Sequence, residues 1–163
     1  MDVISEPSAC SRLPASLRGS LCWPLARVGQ AIVAAHNDAL SEYGLNLRTF
    51  AVLAMVAHGP TRSQLEIAKA VGLDKSTLVA TLDSLEAVGL LERRPDPADR
   101  RARVVVATEK GRMLVDQAAE VVKETETRIL SGVSCEDASR IKETLIALME
   151  GPLRSESGSG SCL

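Results

Sequence analysis

A chain of 163 residues with a formal net charge of -2 is long enough for one hydrophobic core but lacks the basic excess of a general nucleic-acid coat. Its only aromatic residues are Trp23, Tyr43 and Phe50, so a mainly helical core of Leu, Val, Ile and Ala is expected. No apolar run approaches the roughly 18 residues that a spanning helix needs, and the first residues lack the basic-then-apolar order of a secretory leader. The expectation is therefore a cytoplasmic protein without membrane association.

Residues 1–18 mix Ser, Pro, Cys and charge without any period and read as a flexible arm. A first helix is expected from between Ser20 and Pro24 to about Tyr43. Its apolar positions Leu25, Val28, Ile32, Ala35 and Ala39 follow the helical period, and Gly44 ends it. A second helix spans roughly Leu47 to Ala57 and stops at Gly59-Pro60. Ser63 and Glu66 have capping-box spacing and open a short third helix that closes at Gly72. Asp74 caps a fourth, about Lys75 to Val88, closed by Gly89. Leu78, Leu82 and Leu85 share one face of it, which leaves Lys75, Ser76, Thr77 and Thr81 near an exposed start.

Leu90–Arg94 and Ala102–Ala107 read as two strands joined by the turn-rich Pro95-Asp96-Pro97-Ala98-Asp99. Thr108 caps a fifth helix carrying Leu114, Ala118, Val121, Val122, Thr125 and Ile129. Ser134 with Asp137 caps a sixth carrying Ile141, Leu145, Leu148 and Met149. Gly151 to Leu163, rich in Ser and Gly, reads as a disordered tail.

Two short helices around a Gly-containing turn, followed by a hairpin with a basic tip, make a winged helix-turn-helix. Its fourth helix fits the major groove, and its hairpin reaches the flanking backbone or minor groove. Between Leu91 and Arg112 there are seven basic residues and four acidic ones, a local positive excess that the whole-chain charge conceals.

The stretch Leu47 to Gly111 resembles the MarR family of transcriptional regulators. The similarity is carried by Phe50-Ala51-Val52-Leu53, Gly59-Pro60, Gly72-Leu73-Asp74-Lys75-Ser76-Thr77, Leu85-Glu86, Gly89-Leu90 and Thr108-Glu109-Lys110-Gly111. The wing, Glu92-Arg93-Arg94-Pro95-Asp96-Pro97-Ala98-Asp99-Arg100-Arg101-Ala102, matches most closely. This resemblance implies a homodimer on double-stranded DNA, with an N-terminal dimerisation helix (19–46), a DNA-binding lobe (47–107) and C-terminal dimerisation helices (108–150). It further implies repression at a pseudo-palindromic operator with half-sites about 34 Å apart.

By the family's pattern Arg101 contacts DNA and Asp99 orients its neighbours through a charge-assisted hydrogen bond. Among Arg93, Arg94, Arg100 and Arg103, some are expected as phosphate contacts and others as solvated strand residues. Relatives often carry arginines where this chain has Ala80, Ser84 and Val88, so base reading is expected to rest on Ser76, Thr77 and Thr81. Lys75 and Ser63 complete the DNA-facing set.

Release from DNA is expected through a small aromatic or anionic effector or through thiol oxidation. Cys22 matches the position of the reactive cysteine in the organic-hydroperoxide-sensing branch, with His36 and Tyr43 as candidate neighbours. As a residue it reads equally well as a small hydrophobe packed in a dimer interface. Cys10, Cys22, Cys135 and Cys162 show no CxxC pair, and neither a cofactor nor a metal is expected. No catalytic constellation is evident, so the chain is read as a regulator rather than an enzyme. The alternatives are a thiol peroxidase around Cys22 and a metal sensor drawing on Cys22, His36, His58 and Cys135.

Overall fold

A computed structural model describes residues 14–59, 63–95 and 103–151. In chain order it comprises α1 (Ala15–Arg18), α2 (Cys22–Leu40), a 3-10 turn (Ser41–Tyr43), α3 (Leu47–His58), α4 (Gln64–Val71) and α5 (Lys75–Ala87). Strands β1 (Leu91–Pro95) and β2 (Arg103–Ala107) follow, then α6 (Glu109–Ile129) and α7 (Cys135–Glu150). This is the expected fold class, mainly helical with one antiparallel hairpin. None of the described helices is long and apolar enough to cross a membrane.

Helix starts follow from side-chain chemistry. Ser63 and Glu66 form a reciprocal box in which the Glu66 carboxylate accepts the Ser63 N–H at 2.8 Å. Asp74 accepts the Thr77 N–H at 2.9 Å, Thr108 the Gly111 N–H at 3.0 Å, and Ser134 the Asp137 N–H at 3.1 Å. Each satisfies an amide that the first helical turn leaves without a partner. A further box pairs Asn46 with Thr49 at the head of α3, with Asn-to-Thr in place of the usual Ser-to-Glu.

Two expectations are revised. The helical period near Tyr43 ends three residues early as α-helix and tightens into the 3-10 turn, after which the chain reverses. Within the segment read as a flexible arm, Ala15–Arg18 form one helical turn. The rest of that arm, and the tail beyond Gly151, lie outside the described residues.

The core gathers around α3. Val52 and Leu53 meet Leu40 of α2, Ile67 of α4, Leu78, Leu82 and Leu85 of α5, Leu91 and Val105 of the hairpin, and Val115 and Ala118 of α6. Gly111 marks a close approach: a Cβ there would stand 2.1 Å from the Leu90 carbonyl oxygen. Around it, Thr108 N–H donates to Leu90 O at 3.0 Å, Thr108 Oγ1 to Gly89 O at 2.8 Å, and Lys110 Nζ to Val88 O at 2.9 Å. The Thr108–Gly111 motif thus joins the start of α6 to the end of α5 and the start of β1.

Beyond this core the apolar surface is uncovered. No residue of α7 is buried, and Ile141, Leu145, Ile146 and Met149 stand exposed. At the other end of the chain Leu21, Leu25 and Val28 are also exposed. Leu21 and Leu25 share an apolar groove with Ile141, Leu145 and Leu148.

Candidate nucleic-acid interface

Helices α4 and α5 flank a tight turn at Gly72-Leu73-Asp74. Gly72 has φ 68°, in the left-handed region that a Cβ disfavours, which lets α4 stop and the chain redirect within three residues. Leu73 is buried, while Leu78, Leu82 and Leu85 hold α5 against the core. Lys75, Ser76, Ala80, Asp83 and Ser84 remain outward.

Asp74 organises the start of α5. One carboxylate oxygen accepts Ser76 Oγ–H at 2.5 Å, and the other accepts Thr77 Oγ1–H at 2.5 Å. Hydrogen bonds from Ser76 and then Thr77 hold the Asp74 carboxyl well below the usual carboxylate range. Ser63, at the head of α4, is exposed, with its hydroxyl directed to Glu66 Oε2 at 2.8 Å.

Thr81 is a correction. It was placed at the exposed start of the fourth helix, but it is buried, and its hydroxyl donates to Thr77 O at 2.8 Å. Four residues on from Thr77, it turns with Leu78 and Leu82 toward the core, so it offers no group to a base edge.

The hairpin pairs Leu91 with Ala107, Arg93 with Val105 and Pro95 with Arg103. Alternation therefore puts Arg93 on the same face as buried Leu91, turned toward α5. Its guanidinium bonds Asp83 at 2.6 Å and pairs with Glu86, while its N–H donates to Glu86 Oε1 at 3.1 Å. Burial works against its charge, yet the Asp83 hydrogen bond and the charges of Glu86 and Asp83 outweigh that and raise its pKa above the ordinary value. Arg93, expected as either a phosphate contact or a solvated strand residue, is instead a bracket between the hairpin and α5.

Arg94, on the opposite face, is exposed and pairs with Glu92, an interaction that water screens. Arg103 is exposed at the start of β2. Asp99, Arg100 and Arg101, expected to carry the wing's DNA contact, lie outside the described residues. Asp83 and Glu86 were not anticipated. Their signal was parity: Leu91 and Arg93 share a strand face, and Asp83 and Glu86 are three apart on a helix.

The residues proposed for sensing are not assembled within one chain. Cys22 occupies the first position of α2, exposed, with its N–H bonded to Ser20 Oγ at 3.2 Å. His36 lies fourteen residues further along the same helix, about 21 Å at the helical rise. It is buried, with Nδ1 2.8 Å from Ile32 O. Tyr43 is half-buried in the 3-10 turn and packs against the lobe core. His58 pairs with Asp116 at 3.1 Å, joining α3 to α6. Among the described residues no group of three or more His, Cys, Asp or Glu is placed to hold a metal ion, so the suggested metal-sensing set does not converge.

Comparison with known proteins agrees with this geometry. A family profile described as MarR family matches residues 43–102. CouR from Rhodococcus jostii RHA1, in a crystal structure with p-coumaroyl-CoA, is 32% identical over 85% of this chain and 98% of that one, with a TM-score of 0.75. A transcriptional regulator (MarR family) from Rhodococcus sp. RHA1 is 31% identical over 82% and 99%, TM-score 0.74. The transcriptional repressor CouR bound to a 23-mer DNA duplex is 27% identical over 82% and 95%, TM-score 0.77. A helix-turn-helix with a basic wing, matched along nearly the full length of such relatives, leaves one conclusion: the chain belongs to the MarR family of transcriptional regulators.

Proposed function

We propose that this protein is a homodimeric repressor that holds a pseudo-palindromic operator and leaves it when a small ligand binds. The observation that carries this reading is the outward face of α5, with Lys75, Ser76 and Ser84, on a helix packed against a hairpin that carries exposed Arg94 and Arg103. A helix in the major groove with a basic wing on the backbone is the arrangement that reads duplex DNA. CouR's complex with a 23-mer duplex supports it.

The second copy is supported by α7 and the start of α2, whose Leu and Ile side chains are exposed among the described residues. Residues 19–46 and 108–150 then build the dimer, and residues 47–107 read DNA. The tip residues Asp99, Arg100 and Arg101 supply the flanking contact, with Arg101 the DNA-contacting member. The protein works in the cytoplasm as a regulator and not an enzyme, and the peroxidase and metal-sensor readings are set aside.

The effector is a small aromatic or anionic molecule. CouR's binding of p-coumaroyl-CoA makes an aromatic acyl thioester the first to try. Release by oxidation of Cys22 is the second reading, favoured by the exposure of that thiol at the first turn of α2.

Fluorescence anisotropy tests both. The duplex upstream of the protein's own gene is titrated with reduced protein, peroxide-treated protein, and reduced protein with p-coumaroyl-CoA. Tight, salt-sensitive binding that only the thioester weakens is the expected result. Loss on oxidation with recovery by thiol would instead make Cys22 the sensor. Arg101→Ala is expected to weaken binding at least about tenfold, and unchanged affinity would remove the wing from the mechanism.

A further inference from the structure

We infer that α5 reads base amino groups and thymine methyls, and so selects A·T pairs over guanine where it meets the half-site. The inference rests on the DNA-binding function proposed above and specifies what that surface recognises.

A serine or threonine hydroxyl has one proton to give and two lone pairs to offer. On α5 all these protons are directed inward. Ser76 and Thr77 donate to the two oxygens of Asp74, Thr81 donates to Thr77 O, and Ser84 donates to Thr81 O at 2.8 Å. The acceptors are a carboxylate and backbone carbonyls, which hold no proton, so the direction of each bond is fixed by chemistry. Turning the Ser76 proton outward would break a charge-assisted bond to Asp74.

The exposed members of this set therefore act outward as acceptors only. Ser76 and Ser84 stand with Ala80 at four-residue spacing, a single line along the exposed side of α5: acceptor, methyl, acceptor. The line runs about 12 Å, the rise of three to four base pairs. Lys75 is the only basic residue of α5 and lies off this line at its first position, where a flexible point charge suits phosphate.

In the major groove guanine shows only the acceptors N7 and O6, adenine shows its N6 amino group, and thymine shows its methyl. Guanine therefore meets no donor along the line. An A·T pair meets both a hydroxyl oxygen for its amino group and Ala80 for its methyl. Cytosine satisfies only the first of these.

The test uses the full chain, reduced, and duplexes that it selects from a random pool. Positions whose preference shifts in Ser76→Ala and Ser84→Ala are the α5 contacts. At those positions, replacing adenine by purine, which lacks the amino group, is expected to weaken binding about tenfold. Replacing thymine by uracil is expected to weaken it about threefold, and 7-deazaguanine for any guanine present should change it less than about twofold. At positions that Ser76→Ala shifts, the purine penalty should disappear in that variant. Asp74→Ser keeps an N-cap oxygen but frees the Ser76 hydroxyl proton, and should raise relative affinity for guanine-substituted duplexes at the Ser76 contact at least about fivefold.

A tenfold loss with 7-deazaguanine, a purine penalty that persists in Ser76→Ala at the positions it shifts, or no change in guanine tolerance at the Ser76 contact in Asp74→Ser would each overturn the inference. Failure to enrich any duplex would overturn the DNA-binding reading beneath it and this one with it.

Discussion

Leu78, Leu82 and Leu85 of α5 are almost sealed from solvent, whereas Ile141, Leu145 and Ile146 of α7 stand in the open. Both helices carry their apolar residues at helical spacing, and both begin at a side-chain cap. The difference lies in what surrounds them. α5 is enclosed by α3, α4 and the hairpin, while among the described residues the apolar groove of α7 is shared with the start of α2. A 16-residue helix without packing is marginal in water, so α7 depends on a neighbour in a way that α5 does not. Helical periodicity therefore records that a face will be buried without saying whether the cover comes from the same chain.

Substitutions can break this contrast. The largest expected effect is at Leu82, which is 1% exposed. Leu82→Ala should cost about 2–5 kcal/mol, through lost transfer energy and a residual cavity, read as a fall in the urea midpoint at every protein concentration. Gly111→Ala should follow at about 1–3 kcal/mol, because its methyl collides with the Leu90 carbonyl. It should also weaken operator binding, since it disturbs the joint between α5, β1 and α6.

Leu145→Glu sharpens the contrast from the other side. Sedimentation should show dimerisation weakened at least about tenfold, some 1.4 kcal/mol, while the lobe core keeps its near-ultraviolet signature. A Leu145→Glu protein that remained dimeric at wild-type concentrations would show that α7's exposed face is not the interface.

The smallest effect concerns pH. The folded Asp74 carboxyl titrates below its unfolded value, so its stabilising contribution is complete above about pH 4. That contribution fades as pH falls below this point toward the depressed folded value. The difference in urea midpoint between wild type and Asp74→Asn should accordingly shrink from pH 6 to pH 3. A constant difference would show that the charge of Asp74 contributes nothing to the cap.

Most element boundaries were legible because caps are local: Ser63 with Glu66, Asp74, Thr108 and Ser134 each announce a helix within four residues. Asn46 with Thr49 escaped notice because it departs from the commoner pairing. The role of Arg93 stays open when charges are merely counted, because counting ignores which side of a strand they occupy; its parity with Leu91 shows that it faces α5. Thr81 was misjudged on a helix for the same reason, its polarity outweighing its place beside Leu78 and Leu82. Within one chain Cys22 and His36 stay apart, because residues on one uninterrupted helix are separated by its length. The DNA-reading lobe was thus recognisable in outline, whereas the partners of its charged residues required three-dimensional placement.

The bonds that Thr108, Lys110 and Gly111 make to the end of α5 and the start of β1 have a mechanical meaning. They tie the first turn of the long α6 to the segment between α5 and β1, so a displacement of that end of α6 carries α5 with it, like a key moved by its shaft. In the proposed dimer the distance between the two keys would then be the quantity for a ligand to adjust.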